Sequence, residues 1–374
     1  MRGPAVQPVV IAAGGTGGHF FPAAALGAQL TARGHRVVLM TDARSGGLSS
    51  EVFGETHVLA GAGIAGRGAL QAVQAGVSLA VGVVQARAIL GRIGAAAVVG
   101  FGGYPSVAPI LAGRLLRRRP ALILHEQNAV LGRANRFLAP GADLLALSFA
   151  ATERVPETAA TQFTGNPVRL AIAALADRPY TPPADRIELL VLGGSLGARI
   201  FSDVLPDAMA ALPGALRDRI RITQQCRAED LGRVRAAYAA AGMEAELSSF
   251  FPDIAEKLAV AHLVIARAGA STIAELAVAG LPSILVPLPS AIDDHQSANA
   301  RALTEPGAAW TVPQLRFTPT SLADMLDRLL ADPACLATAA AAARSQARAD
   351  AADRLASIVE TLMPKNGMLK DRVA

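Results

Sequence analysis

Acidic residues are missing from a long stretch of this 374-residue chain: between Glu55 and Glu126 there is no aspartate or glutamate. The same stretch carries Arg67, Arg87, Arg92, Arg114, Arg117, Arg118 and Arg119. A region of one sign attracts anions, whether nucleic acid, a phosphorylated substrate or anionic lipid. Aromatic residues are scarce, at 4%, and none interleaves the arginine cluster, which argues against a stacking surface for nucleic acid. The two cysteines, Cys226 and Cys335, lie in different segments with no metal or redox spacing, so a reducing cytoplasm is expected. No apolar run reaches the roughly 20 residues that cross a bilayer. The nearest, residues 75–84, ends at Gln85 and Arg87. The N-terminus runs into a glycine loop with no small-residue cleavage site, so no signal peptide is expected.

Apolar material, by contrast, is plentiful. Hydrophobic residues make up 52% and charged residues 17%, which at this length suits two packed cores. Short apolar runs alternate with amphipathic stretches. Strands are predicted at 8–13, 36–40, 96–99, 121–124 and 144–147, then at 187–192, 221–223, 263–266 and 283–286. Helices are predicted at 21–33, 198–211 and 272–279. Alternation of this kind, with nearly continuous apolar strands, implies parallel sheets covered on both faces. The fold class is α/β, with two Rossmann-like domains. The first spans residues 1–164 and the second 165–345, with a C-terminal helix and tail at 346–374 packing back on the first.

Two glycine loops each follow a strand and open a helix: Gly14-Gly15-Thr16-Gly17-Gly18-His19 and Gly193-Gly194-Ser195-Leu196-Gly197-Ala198. Such a turn brings backbone N–H groups and a helix N-terminus to a phosphate, although tight packing alone also uses glycine. Neither is a P-loop, and neither fits the dinucleotide spacing. The one literal G-x-G-x-x-G starts at Gly61, and no acidic residue lies near 20 positions beyond it, so it reads as chance. His19 stands at the rim of the first loop, placed to act as a base. His125-Glu126-Gln127-Asn128 ends an apolar strand, where ligands collect in open α/β sheets.

In the second half, Ala270, Ser271 and Thr272 open a helix where they can cap it or bind phosphate. Glu275 falls in the first turn of the helix expected over 272–279, where it can accept from a ribose diol or offset the helix dipole. Asp293-Asp294-His295-Gln296-Ser297-Ala298-Asn299 has donors and acceptors for sugar hydroxyls but no recognisable metal-ligand set. No Asp-x-Asp occurs, so a metal-bound diphosphate is not indicated, and no cofactor is expected. The apolar stretch 69–90 beside the arginine cluster reads either as a buried helix with a solvated turn or as a peripheral membrane face.

The ordered set of these motifs, with Gly102-Gly103-Tyr104 and Gly165-Asn166-Pro167-Val168-Arg169, closely resembles the MurG family over roughly residues 9 to 310. These are the N-acetylglucosaminyltransferases that convert lipid I to lipid II in peptidoglycan synthesis. The resemblance implies a GT-B architecture, with the active site in the inter-domain cleft and UDP-N-acetylglucosamine held mainly by the second domain. Ser195 and the Ala270, Ser271, Thr272 turn would contact the diphosphate, Glu275 the ribose, and backbone near Phe251 the uracil. Gln296 and Asn299 would hold the sugar. Thr16, Gly17, Gly18 and Asn128 come from the first domain, and Arg169 from the junction. Undecaprenyl-linked lipid I would dock on the first domain at an anionic membrane surface, on the cytoplasmic face of the bacterial inner membrane.

The sequence departs from the family's commoner residues at three points. Leu196 replaces a glutamine, and Ala268 and Ser271 replace a serine and a leucine. The implied reaction is direct displacement by the 4-hydroxyl of N-acetylmuramyl, with inversion and with His19 as base. A sugar-nucleotide epimerase and another GT-B sugar transferase are the nearest alternatives. A nicotinamide dehydrogenase lacks its acidic residue, and a membrane adaptor leaves the polar strand ends unexplained.

Overall fold

The computed structural model describes residues 8–15, 17–43, 52–60, 69–194 and 197–364. The chain divides into two compact units, Met1–Arg169 with Asp350–Ala374, and Leu170–Ala349.

The first unit is built on seven parallel strands: β1 (Pro8–Ala12), β2 (Arg36–Asp42), β3 (Glu55–Leu59), β4 (Ala97–Gly100), β5 (Ala121–Glu126), β6 (Leu144–Leu147) and β7 (Thr161–Phe163). Their order is β3-β2-β1-β4-β5-β6-β7, so the direction of winding reverses between β1 and β4. Ile11 pairs with Leu39 on one side and Val99 on the other. Because successive strand residues face opposite ways, Val9 and Ile11 enter one core while Val10 enters the other. The first core is closed by α1 (Gly17–Ala32) and α14 (Ala351–Leu362), through Leu26, Leu30, Leu355 and Val359. The second is closed by α2 (Ala69–Ile93) and α3 (Val107–Arg114), through Leu90 and Ile110. Each such fully buried leucine or isoleucine contributes roughly 2–3 kcal/mol of transfer free energy.

Helix α2 corrects one expectation. Val73–Ile93 has the length and mean hydropathy, 1.5, of a bilayer-crossing helix by length and composition alone. Run-by-run reading missed this because Gln85, Arg87 and Arg92 interrupt the apolar sequence without interrupting the helix. One face carries Leu79, Val83, Leu90 and Ile93 against the second core. Val73, Val77, Val81 and Val84 form a stripe on the exposed side.

The second unit repeats the design with β8 (Ile187–Leu192), β9 (Ile220–Gln225), β10 (Ala245–Ser248), β11 (Leu263–Ala266), β12 (Ser283–Leu285) and β13 (Ala309–Thr311). The order is β10-β9-β8-β11-β12-β13, all parallel, with the reversal between β8 and β11. Helix α6 (Arg199–Ala211) and α12 (Pro319–Leu330) pack Phe201, Leu205, Leu322 and Leu326 into one core. Helices α10 (Ala270–Ala279) and α11 (His295–Thr304) follow β11 and β12.

Candidate active site

In each sheet most of the expected residues follow strands at or near the winding reversal, where an open α/β sheet leaves a crevice, while Arg169 and Phe251 follow the edge strands β7 and β10. In the first unit the loop after β1 opens α1 at Gly17, four residues earlier than predicted. His19 therefore lies in the first turn of the helix and not at a loop tip, and its side chain is half-buried. Gly17 is buried and Gly18 exposed, while Thr16 lies outside the described residues.

The His19 Nδ1 atom lies 2.8 Å from Gln127 Oε1. Gln127 Nε2 lies 2.9 Å from His125 Nδ1 and donates to the His125 carbonyl at 3.0 Å. His125 Nε2 reaches the Gly165 carbonyl at 3.2 Å. Complete burial is the main influence on His125 and pulls its pKa down to about 4; the Gly165 contact opposes the shift and the nearby His19 adds to it. His125 is thus neutral near pH 7.

Glu126 is also buried, with both carboxylate oxygens engaged. Oε1 accepts from the Asn128 backbone at 3.0 Å and the Asn128 side chain at 3.1 Å. Oε2 accepts from Gly132 N and Asn135 Nδ2, both at 2.9 Å. The acid is a strut that shapes the loop carrying Asn128. Arg169 stacks its guanidinium 4.7 Å from the Phe21 ring centroid, which brings it to the start of α1. His19, Gln127, Asn128 and Arg169 are thereby brought to one end of the first sheet.

In the second unit, Gly193 begins the loop after β8. A Cβ there would stand 2.4 Å from Ala198 N, so the loop closes only around glycine. Ser195 and Leu196 lie outside the described residues. Helix α10 starts at Ala270, two residues earlier than predicted, and has no side-chain hydrogen bond capping it at Gly269. Ser271 and Thr272 are half-buried in its first turn. The earlier start moves Glu275, which is buried, to the second turn rather than the first.

Asn299 is fully buried and donates to the Ala268 carbonyl at 3.1 Å, tying α11 to the loop that opens α10. Gln296 accepts from Leu288 N at 2.9 Å. Before α11 the backbone passes through the left-handed region at Asp293 and Asp294, φ 55° and 51°, and Asp294 accepts from Ser297 Oγ at 2.7 Å. Phe251 follows edge strand β10, two strands from β8, with its ring buried.

Sequence reasoning passed over one residue that organises this end of the sheet. Arg267 follows β11 directly and is buried, with Nη1 donating to the Val286 and Pro287 carbonyls at 3.0 and 3.2 Å. Its Nη2 donates to Gln314 Oε1 at 2.6 Å. Burial lowers its pKa from the ordinary arginine value. The available signal was a lone arginine at the end of an otherwise apolar strand.

Comparison with known proteins agrees with the two-unit α/β architecture. Residues 9–146 match the glycosyltransferase family 28 N-terminal domain, and residues 188–355 match the family 28 C-terminal domain. A relative from Granulibacter bethesdensis is 60% identical over 96% of this chain and 94% of its own length. It is named UDP-N-acetylglucosamine–N-acetylmuramyl-(pentapeptide) pyrophosphoryl-undecaprenol N-acetylglucosamine transferase. The crystal structure of Acinetobacter baumannii MurG superposes with a TM-score of 0.75 at 31% identity, covering 95% of this chain and 99% of that one.

The chain belongs to the MurG family of glycosyltransferases.

MurG family membership makes the two Rossmann-like units a GT-B enzyme frame. The same frame serves other chemistry. A putative UDP-N-acetylglucosamine 2-epimerase from Listeria monocytogenes superposes with a TM-score of 0.68 at 15% identity, over 96% of each chain. That likeness is one of fold alone. It does not bear on the reaction, which the 60% identical MurG-type relative speaks to directly.

Proposed function

We propose that this enzyme transfers N-acetylglucosamine from UDP-N-acetylglucosamine to the 4-hydroxyl of the N-acetylmuramyl group of lipid I, inverting the anomeric centre to give lipid II. The observation that carries the site reading is the N-terminus of α10 at the winding reversal, with buried Glu275 one turn further along. The N–H groups of a helix N-terminus and the helix dipole suit a diphosphate, and a buried carboxylate suits the ribose hydroxyls.

In this reading the second unit holds the donor. Ser195, Ala270, Ser271 and Thr272 contact the diphosphate, Glu275 the ribose, and backbone near Phe251 the uracil. Gln296 and Asn299 hold the sugar. The first unit supplies Thr16, Gly17, Gly18 and Asn128 for the acceptor side, Arg169 at the diphosphate, and His19 as base. The acceptor hydroxyl passes its proton to His19 as its oxygen bonds to the anomeric carbon. The bond from that carbon to the phosphate oxygen breaks, and UDP leaves with the electron pair. Fixed N–H donors and Arg169 stabilise the charge that develops on UDP, each such donor contributing on the order of 3 kcal/mol. General-base assistance contributes about 10²–10⁴-fold.

The membrane role rests on the exposed valine stripe of α2 and the turn after α3. Leu116 of that turn would touch a side-chain carbon at Gly91, in the last turns of α2, at 3.7 Å. Of the clustered arginines, Arg117 and Arg118 are exposed. Arg114 instead donates to the Leu138 carbonyl, and Arg119, which is also exposed, pairs with Asp143 at 2.9 Å. Apolar surface beside exposed arginines fits a peripheral position on anionic lipid, at the cytoplasmic face of the inner membrane where lipid I is presented.

The deciding experiment is transfer of labelled N-acetylglucosamine from its UDP donor to a lipid I analogue, with EDTA present. Transfer with inversion supports the reading. UDP release or epimer formation without any acceptor overturns it.

A further inference from the structure

His19, Gln127, His125 and the Gly165 carbonyl form a hydrogen-bonded series, joined by Ser148 Oγ at 3.5 Å from His125 Nε2 and by Thr164 Oγ1 donating to the Gly165 carbonyl at 3.0 Å, and its shorter contacts select one placement of protons. A carbonyl oxygen only accepts, so His125 carries its proton on Nε2, 3.2 Å from Gly165 O. Its Nδ1 is then a lone pair that accepts from Gln127 Nε2 at 2.9 Å. The second hydrogen of that amide goes to the His125 carbonyl at 3.0 Å. Turning the amide over would set two carbonyl oxygens 3.0 Å apart, so its orientation is fixed. The Gln127 oxygen must therefore face His19 Nδ1, and at 2.8 Å the hydrogen between them belongs to the imidazole.

We propose that Gln127 is a positioning residue that holds His19 in its Nδ1–H tautomer and leaves the Nε2 lone pair free to take the proton of the attacking hydroxyl. The proposal rests on the reading of His19 as the base. In the opposite tautomer Nε2 carries hydrogen and has no lone pair to receive the proton. When the proton arrives, the resulting imidazolium keeps its Nδ1–H on Gln127, so no group need rearrange during the step.

Two further features serve the same end. Gly103 leaves the Nε2 edge of His19 uncrowded, since a Cβ at 103 would sit 3.6 Å from Nε2. His125, the titratable group that faces His19, stays neutral near pH 7 because burial depresses its pKa to about 4, so its Nδ1 remains an acceptor for Gln127. The neighbouring charges are already engaged. Glu126 is held by Asn128, Gly132 and Asn135, and Arg169 lies over Phe21.

The test uses the full-length enzyme labelled with ¹⁵N-histidine, with His19→Ala to assign the signal. Near neutral pH the neutral His19 ring is expected to show a protonated Nδ1 and a bare Nε2. A protonated Nε2 overturns the proposal whatever His19 does in turnover. Separately, normal turnover in His19→Ala removes the base, and with it the catalytic role of Gln127, even where the tautomer is as drawn.

Gln127→Met, similar in shape but unable to accept, is expected to move hydrogen onto Nε2 and lower kcat on the order of 10²-fold, with KM for UDP-N-acetylglucosamine unchanged. Gln127→Glu keeps the acceptor and adds a charge beside His19. It is expected to retain most of kcat and shift the acid limb of the kcat/KM profile to higher pH. Equal losses in both variants with an unmoved profile overturn the proposal, because they mark a structural role only. Should the methionine variant fail to fold, the wild-type tautomer and the glutamate profile still decide.

Discussion

Arg267 and Gln314 meet at 2.6 Å, guanidinium to side-chain carbonyl, and the same guanidinium holds the backbone carbonyls that follow β12. The contact joins the loop before α10 to the turn before α12 within one unit. Arg267→Met leaves buried acceptors without a donor, each costing about 1–3 kcal/mol. The expected result is a loss on the order of 3 kcal/mol in urea unfolding, with weaker UDP-N-acetylglucosamine binding. Stability unchanged within error would mean that water replaces the guanidinium at no cost.

A buried carboxylate that accepts from a ribose diol should be worth about 1.5–3 kcal/mol, or roughly 10- to 150-fold in affinity. Glu275→Gln is expected to raise the dissociation constant of UDP-N-acetylglucosamine by that factor. A donor lacking the 2′-hydroxyl should bind wild type weakly, yet lose little more on the variant, because the two changes remove one interaction. Full additivity of the losses would place Glu275 away from the ribose.

Gly103 has φ 64° and ψ −179°, a region essentially closed to residues with a Cβ. Gly103→Ala introduces strain of about 1–3 kcal/mol and a methyl group in contact with the Nε2 edge of His19. The expected effect is a lower kcat with donor binding intact, because the residues proposed to hold the donor belong to the other unit. Donor affinity measured calorimetrically beside kcat separates the two.

How much of this was legible in the sequence follows from what each segment buries. The central strands were found because both of their faces are covered: β5 reads Ala-Leu-Ile-Leu-His-Glu and is buried throughout. The strands not found, β3, β7, β10 and β13, are the four sheet edges, and their residues alternate with or face solvent. An edge strand of three to five residues carries little hydrophobic signal and owes its conformation to its neighbour. Helices α1 and α10 began earlier than predicted because glycine and alanine at their first turns give no clear start signal, and Gly269 before α10 offers no side-chain cap to mark it. Among site residues, His19 was visible as a polar group at the rim of a glycine loop and Glu126 as one at a strand end. The tautomer imposed through Gln127 was not, because it depends on contact across 108 positions of sequence.

The exposed valines of α2 and the exposed Arg117 and Arg118 define the proposed lipid face. Each arginine near an anionic surface contributes about 1 kcal/mol, so the double change to alanine should weaken binding to phosphatidylglycerol vesicles by on the order of 30-fold. Raising salt should weaken the wild type and largely spare the variant. Val77→Asp should weaken binding to neutral and anionic vesicles alike, which the arginine variant should not. Turnover on a detergent-soluble acceptor analogue should survive all three changes.

The C-terminal helix is fastened to the first unit by charge as well as by its apolar face. Glu360 accepts from Arg33 at 2.6 Å and pairs with His35 at 2.9 Å, while Asp353 takes a second Arg33 contact at 2.5 Å. Burial is the largest single influence on the Glu360 carboxyl and pushes its pKa up, but hydrogen bonds and charge from His35 and Arg33 together outweigh it, leaving the pKa below its ordinary value. A depressed carboxylate pKa stabilises the folded state fully above the unfolded value, near 4.3, and that contribution is lost as pH falls through the lower folded value. With the side chain 35% exposed, solvent screening limits the effect. Glu360→Gln is expected to cost roughly 1 kcal/mol at pH 7 and much less at pH 3. Urea unfolding of variant and wild type at both values checks this. A difference that persists undiminished at pH 3 would assign the loss to packing of α14 rather than to the charge on Glu360.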